Sequence, residues 1–256
     1  MIMKSTKALN IGILGAGSIG KLLARKLAQS GHNVKVANSR GPETIEAETL
    51  QFGARAVEAT EAVKDVDVVI LSIPFQRILD VASLVAGLPD ETVIIDTGNY
   101  YPFRDTKIGP IEAGQVESVW VAEQLRRPIA KAWNSIVADS LARKGTTKGT
   151  PNRIALPVAA DQETDRQVTM ALVEDTGFDG FDAGTLADSW RQQPGSPSYC
   201  TNLTAEELPA ALASAEAARL PKRRDLAIEA IQERAGDSTT NLDAEYLVRL
   251  TRALFM

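Results

Sequence analysis

Residues 11–20 read IGILGAGSIG, and this stretch decides the fold. Its apolar beginning is typical of a buried strand, and the GxGxxG spacing that follows is typical of a turn from strand to helix that holds phosphates. Gly15 permits a sharp turn, Gly17 removes a side chain that would keep a pyrophosphate away, and Gly20 allows close packing of the helix. A helix beginning near Ser18 directs its unpaired N–H groups at the phosphates. The stretch therefore predicts a dinucleotide-binding site.

The second predicted strand, residues 34–37, ends in residues that favour one dinucleotide. A site that prefers NAD usually has Asp or Glu there, whose carboxylate accepts hydrogen bonds from the ribose 2′-hydroxyl. Here the chain continues Asn38-Ser39-Arg40. Arg40 can form two hydrogen bonds with a 2′-phosphate, whereas a carboxylate would repel that group. We therefore expect NADP(H). The alternative is that Arg40 is a surface residue before a helix that begins at Pro42.

Composition limits the class of protein and its partners. The chain has 256 residues, 44% of them hydrophobic, enough for one sizeable α/β core and a smaller appendage. A net charge of −5 argues against nucleic acid or anionic membranes as partners, and no apolar run reaches the length of about 18 residues that a membrane span needs. The start lacks the apolar core of a secretory leader. Cys200 and His32 are the only Cys and His, so we expect no internal disulfide, no Cys–His pair, no metal site and a cytoplasmic location.

The patterns of strand and helix alternate as in a doubly wound, mostly parallel Rossmann sheet. Further strands are predicted at residues 54–57, 67–74, 92–96, 129–136, 153–160 and 178–181, and helices at 78–85, 118–127 and 161–175. The remainder contains a loop at 191–197, a helix from the capping box at Thr204 to about residue 220, an interruption at Pro221, and helices at 225–235 and 241–254. We therefore predict a dinucleotide-binding domain at 1–184 and a helical C-terminal portion at 185–256.

Five short motifs carry a resemblance to a known family. They are GAGSIG at 15–20, NSR at 38–40, IPF at 73–75, KAWN at 131–134 and DAG at 182–184. In this order and spacing they resemble the coenzyme F420-dependent NADP reductase family, whose members share a fold with the nucleotide domain of the STEAP ferric reductases. The resemblance extends over about residues 8–186. It implies hydride transfer between NADPH and a planar acceptor similar to F420, a flavin or a quinone, in a homodimer.

The resemblance also implies roles for individual residues. Those implied to hold the pyrophosphate are Gly15, Ala16, Gly17, Ser18 and Ile19. Those implied at the 2′-phosphate are Ser39 and Arg40, with Asn38 before them as a further cofactor-binding residue. Those implied beside the nicotinamide and its ribose are Ser72, Ile73 and Pro74, with Asn99 as a further cofactor-binding residue. Asn134 is implied near the site of hydride transfer, and Ala183 and Gly184 in the cavity of the second ligand.

Two departures from the family pattern leave the acceptor open. Family members often have His where this chain has Asn134, which can form hydrogen bonds but cannot titrate. The segment 190–199 also differs: Trp190 with its neighbouring Arg and amides suits a planar acceptor, or alternatively anchors a loop to the core. Lys131 and Tyr199 are candidate proton donors, although on an alternating strand Lys131 should face away from Asn134.

Three functions remain open from the sequence. The first is an NADPH-dependent reductase of a planar acceptor, because hydride transfer requires little from side chains beyond positioning. The second is a non-catalytic protein that senses NADP(H). The third is an imine or keto-acid reductase, which would need a proton donor such as Lys131 or Tyr199. The basic loop 143–150 is either solvated or in contact with an anionic ligand, and the predicted helix at 204–220 is a candidate dimer contact.

Overall fold

A mixed sheet forms the centre of the protein, for which the computed structural model describes residues 8–236 and 243–256. The described strands are Asn10–Leu14 (β1), Asn33–Ala37 (β2), Arg55–Ala56 (β3), Val68–Leu71 (β4), Val93–Asp96 (β5), Ala130–Lys131 (β6), Ala155–Ala160 (β7) and Asp179–Asp182 (β8). The described α-helices are Gly20–Gln29 (α1), Ala59–Ala62 (α2), Ile78–Ala86 (α3), Pro102–Asp105 (α4), Gly109–Glu112 (α5), Glu117–Leu125 (α6), Ala138–Arg143 (α7), Glu163–Asp175 (α8), Leu208–Ala213 (α9), Leu220–Ala235 (α10) and Ala244–Phe255 (α11). Short 3₁₀ helices cover Pro42–Thr44, Ala47–Gly53, Phe75–Arg77, Leu186–Gln192 and Ala217–Arg219.

The strand order confirms the predicted doubly wound fold. The strands lie in the order β3-β2-β1-β4-β5-β6-β7-β8. The pairs from β3 across to β6 are parallel, β6 and β7 are antiparallel, and β7 and β8 are parallel to each other. The carboxyl ends of β1 to β6 therefore share one edge of the sheet, here called the carboxyl edge. Strands β7 and β8 end at the opposite edge.

Helices cover both faces of the sheet because its central strands are apolar on both sides. In β4, Val68 and Ile70 pack into the core that contains α1 and α8 residues, whereas Val69 and Leu71 pack into the core that contains α3 and α6 residues. All four side chains are fully buried. A run of branched apolar residues without polar alternation is typical of such a strand, and the predicted burial on both faces is confirmed, although the strand covers only Val68–Leu71 of the predicted 67–74.

The sixth strand is much shorter than the predicted 129–136. Only Ala130–Lys131 pair with the sheet, and the chain then turns away at Trp133, whose φ of 55° is incompatible with an extended strand. The Trp133 indole is fully buried and its Nε1 donates to Thr176 Oγ1 at 3.1 Å, which fixes this turn in the core. The expectation that Lys131 and Asn134 lie on opposite faces of one strand is therefore wrong.

The C-terminal helices also differ from the prediction. The capping box at Thr204 is present: Thr204 N donates to Glu207 Oε2 at 2.9 Å, and Glu207 N donates to Thr204 Oγ1 at 3.3 Å. The helix that follows ends at Ala213, far before residue 220. Pro221 does not interrupt a helix but lies in the first turn of α10, where its missing N–H is not needed. Of the predicted helix 241–254, residues 241 and 242 lie outside the described residues.

The segment after β8 is packed against the sheet and is not an open loop. Leu186–Gln192 form a 3₁₀ helix, and Gln192, Ser196 and Thr201 are fully buried. The segment starts near the end of β7, where Leu186 N donates to Asp161 Oδ1 at 2.8 Å, and crosses to the carboxyl edge. A domain boundary at residue 184 stays a prediction. Within residues 8–236 and 243–256, no helix combines the length and the apolar character needed to cross a bilayer.

Candidate functional site

The glycine-rich turn has the close contacts that its sequence predicts. Gly15 has a φ of 109°, and its N–H donates to Ala37 O at 2.8 Å, which joins the turn to β2. A Cβ at Gly15 would lie 2.1 Å from Ser72 O, and a Cβ at Gly20 would lie 1.9 Å from Gly15 O. A Cβ at Gly17 would meet nothing within 4 Å. The first and third glycines are thus required by packing, whereas the second leaves open space for a ligand.

A cleft of about 380 Å³ opens next to this turn, at the carboxyl ends of β1, β2 and β4. This is the point where the strand order reverses, which is where ligands bind in open α/β sheets. The predicted cofactor residues that line the cleft are Gly15, Ala16, Gly17, Asn38, Ser39, Arg40, Ser72, Ile73 and Pro74. The structure therefore brings together residues from three separate strand ends.

The loop after β2 presents Arg40 to the cleft. Arg40 N donates to Asn38 Oδ1 at 2.9 Å, and Asn38 Nδ2 donates to Thr44 Oγ1 at 2.9 Å, so the loop is held by its own side chains. Arg40 is exposed and lines the cleft. In the described residues no carboxylate forms an ion pair with it. Its guanidinium is free to bind an anionic group, although Arg40 also precedes the helical turn that begins at Pro42.

Sequence reasoning missed a second guanidinium in the cleft. Arg77 lines it from the 3₁₀ helix that leads into α3, and its Nε forms an ion pair with Asp80 Oδ2 at 2.7 Å. Val81 and Leu84 of α3 and Ala59 of α2 add apolar surface to the lining. The sequence does contain a signal for this residue, because Arg77 follows Pro74, where the predicted strand ends, by only three positions.

Three of the predicted cofactor residues lie close to the cleft without lining it. Ser18 is exposed in the turn before α1, and Ile19 is half-buried against the core that α1 covers. Asn99 follows β5 at the carboxyl edge, where its side chain belongs to a separate hydrogen-bonded cluster. The prediction that these residues bind the cofactor has no direct support from the lining of the cleft.

The prediction that Ala183 and Gly184 line a ligand cavity beside the cofactor is wrong. Both follow β8, which runs antiparallel to β1 to β6 because β7 reverses the direction of the sheet. Ala160 N donates to Gly184 O at 3.0 Å, which places Gly184 beside the end of β7 at the edge opposite the cleft. Gly184 N in turn donates to Asp182 Oδ1 at 2.9 Å.

A partly buried polar cluster, here called the amide–tyrosine cluster, lies at the ends of β5 and β6. It consists of Asn99, Tyr101, Asn134, Gln192 and Tyr199. Asn134 Nδ2 donates to Asn99 Oδ1 at 3.1 Å and to Gln192 O at 2.8 Å, and Gln192 Nε2 donates to Asn134 Oδ1 at 2.9 Å. Asn99 Nδ2 donates to Asn134 O at 2.8 Å and to Tyr199 Oη at 3.2 Å. Asn134 thus ties the β5 loop to the segment after β8.

The hydroxyl groups of this cluster stay protonated. The Tyr101 and Tyr199 hydroxyls lie 2.7 Å apart, and burial raises the pKa of both tyrosines above the usual range. Burial also raises the pKa of the neighbouring Cys200 thiol to about 12, so it is the packed thiol that the sequence predicts. The cluster supplies neutral hydrogen-bond donors and acceptors and no group that changes its charge near neutral pH.

Lys131, the other candidate proton donor, belongs to a buried ion pair. Its Nζ lies 2.6 Å from Asp96 Oδ2 and also donates to Gly98 O, and both side chains are fully buried. Nearby, Glu117 accepts a hydrogen bond from Tyr100 N at 3.1 Å. Burial raises the pKa of Glu117 to about 7, although the Lys131 ammonium acts in the opposite direction. The interior below the carboxyl edge therefore contains the Lys131–Asp96 ion pair and a third ionisable group, Glu117, whose pKa both partners of the pair influence.

Comparison with known proteins identifies the family of the N-terminal part. Residues 10–100 match the family described as NADP oxidoreductase, coenzyme F420-dependent. The chain is 46% identical over 78 residues to the protein YjhV of Escherichia coli K12. That alignment covers 29% of this chain and 57% of YjhV. The chain thus spans little more than half the length of this curated relative.

Solved structures extend the similarity over most of the chain. The hypothetical protein SMa0349 from Sinorhizobium meliloti is 30% identical, with a TM-score of 0.65, over 79% of this chain and 97% of that protein. A proposed F420-dependent NADP reductase from Arthrobacter sp. FB24 is 17% identical, with a TM-score of 0.56, over 71% of this chain and 87% of that protein. At that lower identity the likeness shows the fold alone.

Proposed function

Because this chain belongs to the family of coenzyme F420-dependent NADP oxidoreductases, we propose that it transfers hydride between NADP(H) and a planar redox acceptor. The family and the fold are those of nicotinamide-dependent oxidoreductases. The single observation that carries the finer proposal is the cleft. It combines open space at Gly17 with an unpaired guanidinium, that of Arg40, where NAD sites have a carboxylate.

The residues of the cleft fit a phosphorylated dinucleotide. Gly17 leaves the space that a pyrophosphate requires, and the turn between β1 and α1 directs backbone N–H groups toward it. Arg40 would bind the 2′-phosphate, with Asn38 and Ser39 beside it. Arg77 adds a second positive charge, although its ion pair with Asp80 weakens the attraction of that charge for a phosphate. When bound, the nicotinamide ring supplies or accepts the hydride, chemistry that no side chain provides.

The remaining residues of the proposed site would hold the cofactor and the surrounding loops in place and would not take part in proton transfer. Ser72, Ile73 and Pro74 form the exit of β4 and line the cleft, so they would hold the nicotinamide end of the cofactor. Asn134 has its amide nitrogen and oxygen bonded to Asn99 and Gln192, so it would fix two loops rather than move a proton.

A planar acceptor agrees with the state of the two candidate proton donors, Lys131 and Tyr199. Lys131 is fully buried in its ion pair with Asp96, and burial raises the pKa of Tyr199 above its usual range, which makes its hydroxyl a weaker acid. An imine or keto-acid reductase would need a group that delivers a proton with the hydride. We therefore favour an acceptor similar to F420, a flavin or a quinone. A homodimer remains part of the proposal and is tested by light scattering.

Steady-state oxidation of NADPH with F420, FMN, a quinone and a ferric chelate tests the proposal. We expect turnover with one or more of the planar acceptors. Gly17→Val should abolish turnover with an unchanged melting temperature, because its side chain would enter open space that the cofactor needs. Gly87→Val is the matched control, since an added Cβ there also meets nothing within 4 Å and Gly87 does not line the cleft. NADPH binding without oxidation by any acceptor would refute hydride transfer.

A further inference from the structure

A second large cavity lies between the Rossmann sheet and the C-terminal helices. It has a volume of about 690 Å³ and is lined by residues 111–117 and Tyr100, together with some of the residues in the segments 187–194 and 217–225. We call it the C-terminal cavity. None of its lining residues also lines the cofactor cleft. A cavity of this size lies in the range of small-molecule sites, which is about 300–1,000 Å³.

A layer of aromatic rings stands between the two cavities. Phe75 follows the cleft residue Pro74, and its ring centroid lies 6.1 Å from that of Tyr100, which lines the C-terminal cavity. Trp120 stacks on Phe75 with a distance of 5.8 Å between the ring centroids. Phe75 and Tyr100 are fully buried and Trp120 is nearly so. The C-terminal cavity is therefore a separate site and not an extension of the cofactor cleft.

Three carboxyl groups, those of Glu112, Glu117 and Asp225, and the guanidinium of Arg224 line this cavity, and Glu117 and Arg224 are the buried ones. Arg224 is 9% exposed and Glu117 is 4% exposed. Arg224 Nε donates to Asp225 Oδ1 at 2.8 Å, and its guanidinium lies 5.7 Å from the centre of the Tyr100 ring. In the described residues its two terminal nitrogens have no hydrogen-bond partner, and no ion pair within 4.0 Å joins Arg224 to Glu117. The terminal nitrogens of Arg224 are therefore donors whose burial is unfavourable unless a ligand in the cavity accepts hydrogen bonds from them.

The charges around the cavity limit what can bind there. The terminal nitrogens of Arg224 suit a carboxylate, which can accept two hydrogen bonds from them. Glu117 at the base and Glu112 at the mouth suit an ammonium group. A simple anion would meet these two carboxyl groups and that of Asp225, and a simple amine would meet the guanidinium, so a ligand with both charges fits better than either.

Apolar surface completes the lining. The indole of Trp190 lies on one wall, and Ile111, Val116 and Leu220 lie around it. We infer that the C-terminal cavity binds an α-amino acid with an apolar side chain, with its carboxylate on Arg224 and its ammonium on Glu117. This site does not depend on the proposed hydride transfer, because it shares no lining residue with the cleft.

Calorimetric titration of the wild-type chain with four probes tests the inference. The probes are L-leucine, L-phenylalanine, N-acetyl-L-leucine, which lacks the ammonium, and L-leucinamide, which lacks the carboxylate. We expect binding of an amino acid, and affinity for each of the two modified leucines lower than for leucine by about tenfold or more. Absence of binding by both amino acids, or equal binding of leucine and either modified form, would overturn the inference.

Two substitutions test the assigned contacts. Arg224→Gln and Glu117→Gln should each weaken leucine binding by about tenfold or more while the affinity for NADPH is unchanged. Arg219→Gln is the matched control, because Arg219 is exposed, forms an ion pair with Glu216 and does not line the cavity. Unchanged leucine affinity in both test variants would overturn the assignment. If a variant also loses NADPH binding, its leucine affinity is set aside. The titrations of wild type with N-acetyl-L-leucine and L-leucinamide then test the assigned contacts.

Discussion

Replacing Glu117 by Gln should change how stability depends on pH. Burial raises the pKa of this carboxyl group from its ordinary value of 4.5 to about 7, whereas the nearby Lys131 and Arg224 cations and the hydrogen bond from Tyr100 N lower it. The folded state therefore holds the proton more tightly than the unfolded state does. As the pH rises from 4.5 through 7, ionisation of Glu117 makes the folded state progressively less stable.

The expected size follows from the pKa difference. A tenfold change in proton affinity corresponds to about 1.4 kcal/mol, so a rise from 4.5 to about 7 corresponds to about 3 kcal/mol. Gln does not ionise, and its carbonyl oxygen can still accept the hydrogen bond from Tyr100 N. The free energy of unfolding of Glu117→Gln, relative to that of wild type, should therefore rise by about 3 kcal/mol between about pH 4.5 and about pH 8. Most of this rise should occur below about pH 7.

Urea unfolding of both proteins across this pH range measures the effect. The quantity to compare is the difference in the free energy of unfolding between Glu117→Gln and wild type at each pH. Glu91→Gln, at an exposed position, controls for the loss of one carboxyl group. A Glu117→Gln difference that stays constant from about pH 4.5 to about pH 8, or that falls as the pH rises, would refute the reasoning.

Three further substitutions test other parts of the structure. Gly20→Ala places a Cβ 1.9 Å from Gly15 O and should reduce both the melting temperature and NADPH affinity, at a cost of about 1–3 kcal/mol of stability; normal values for both would contradict this. Lys131→Met leaves Asp96 buried without its cation and should lower the free energy of unfolding by about 3–5 kcal/mol in urea titration; a loss below about 1 kcal/mol would show that the pair is not required. Thr204→Ala removes the capping-box hydroxyl and should cost about 1 kcal/mol by the same assay; no change would mean that the box contributes nothing.

Features that depend on neighbouring residues were predictable from the sequence. The turn at Gly15, the buried strand β4 and the capping box at Thr204 each follow from spacing within about ten residues, and each is confirmed. The cleft was predictable for the same reason, because strand ends that are recognisable locally meet at one edge of a parallel sheet.

Features that depend on distant contacts were not predictable in this way. Gly184 lies at the wrong edge for a cofactor contact because β7 reverses the sheet, and no local pattern shows the direction of a strand. The sixth strand ends early because Trp133 turns into the core against Thr176. Gln192 is buried in a segment that reads as an open loop, because its partner Asn134 lies far away in the sequence.

Calorimetric titration with NADPH and with NADH tests the central claim most directly, namely that the cleft beside Gly17 and Arg40 holds a phosphorylated dinucleotide. The predicted result is that wild type binds NADPH more tightly than NADH by about tenfold or more, and that Arg40→Ala reduces NADPH affinity to the level of NADH. Equal affinity for the two coenzymes, tighter binding of NADH, or no heat with either would contradict the claim.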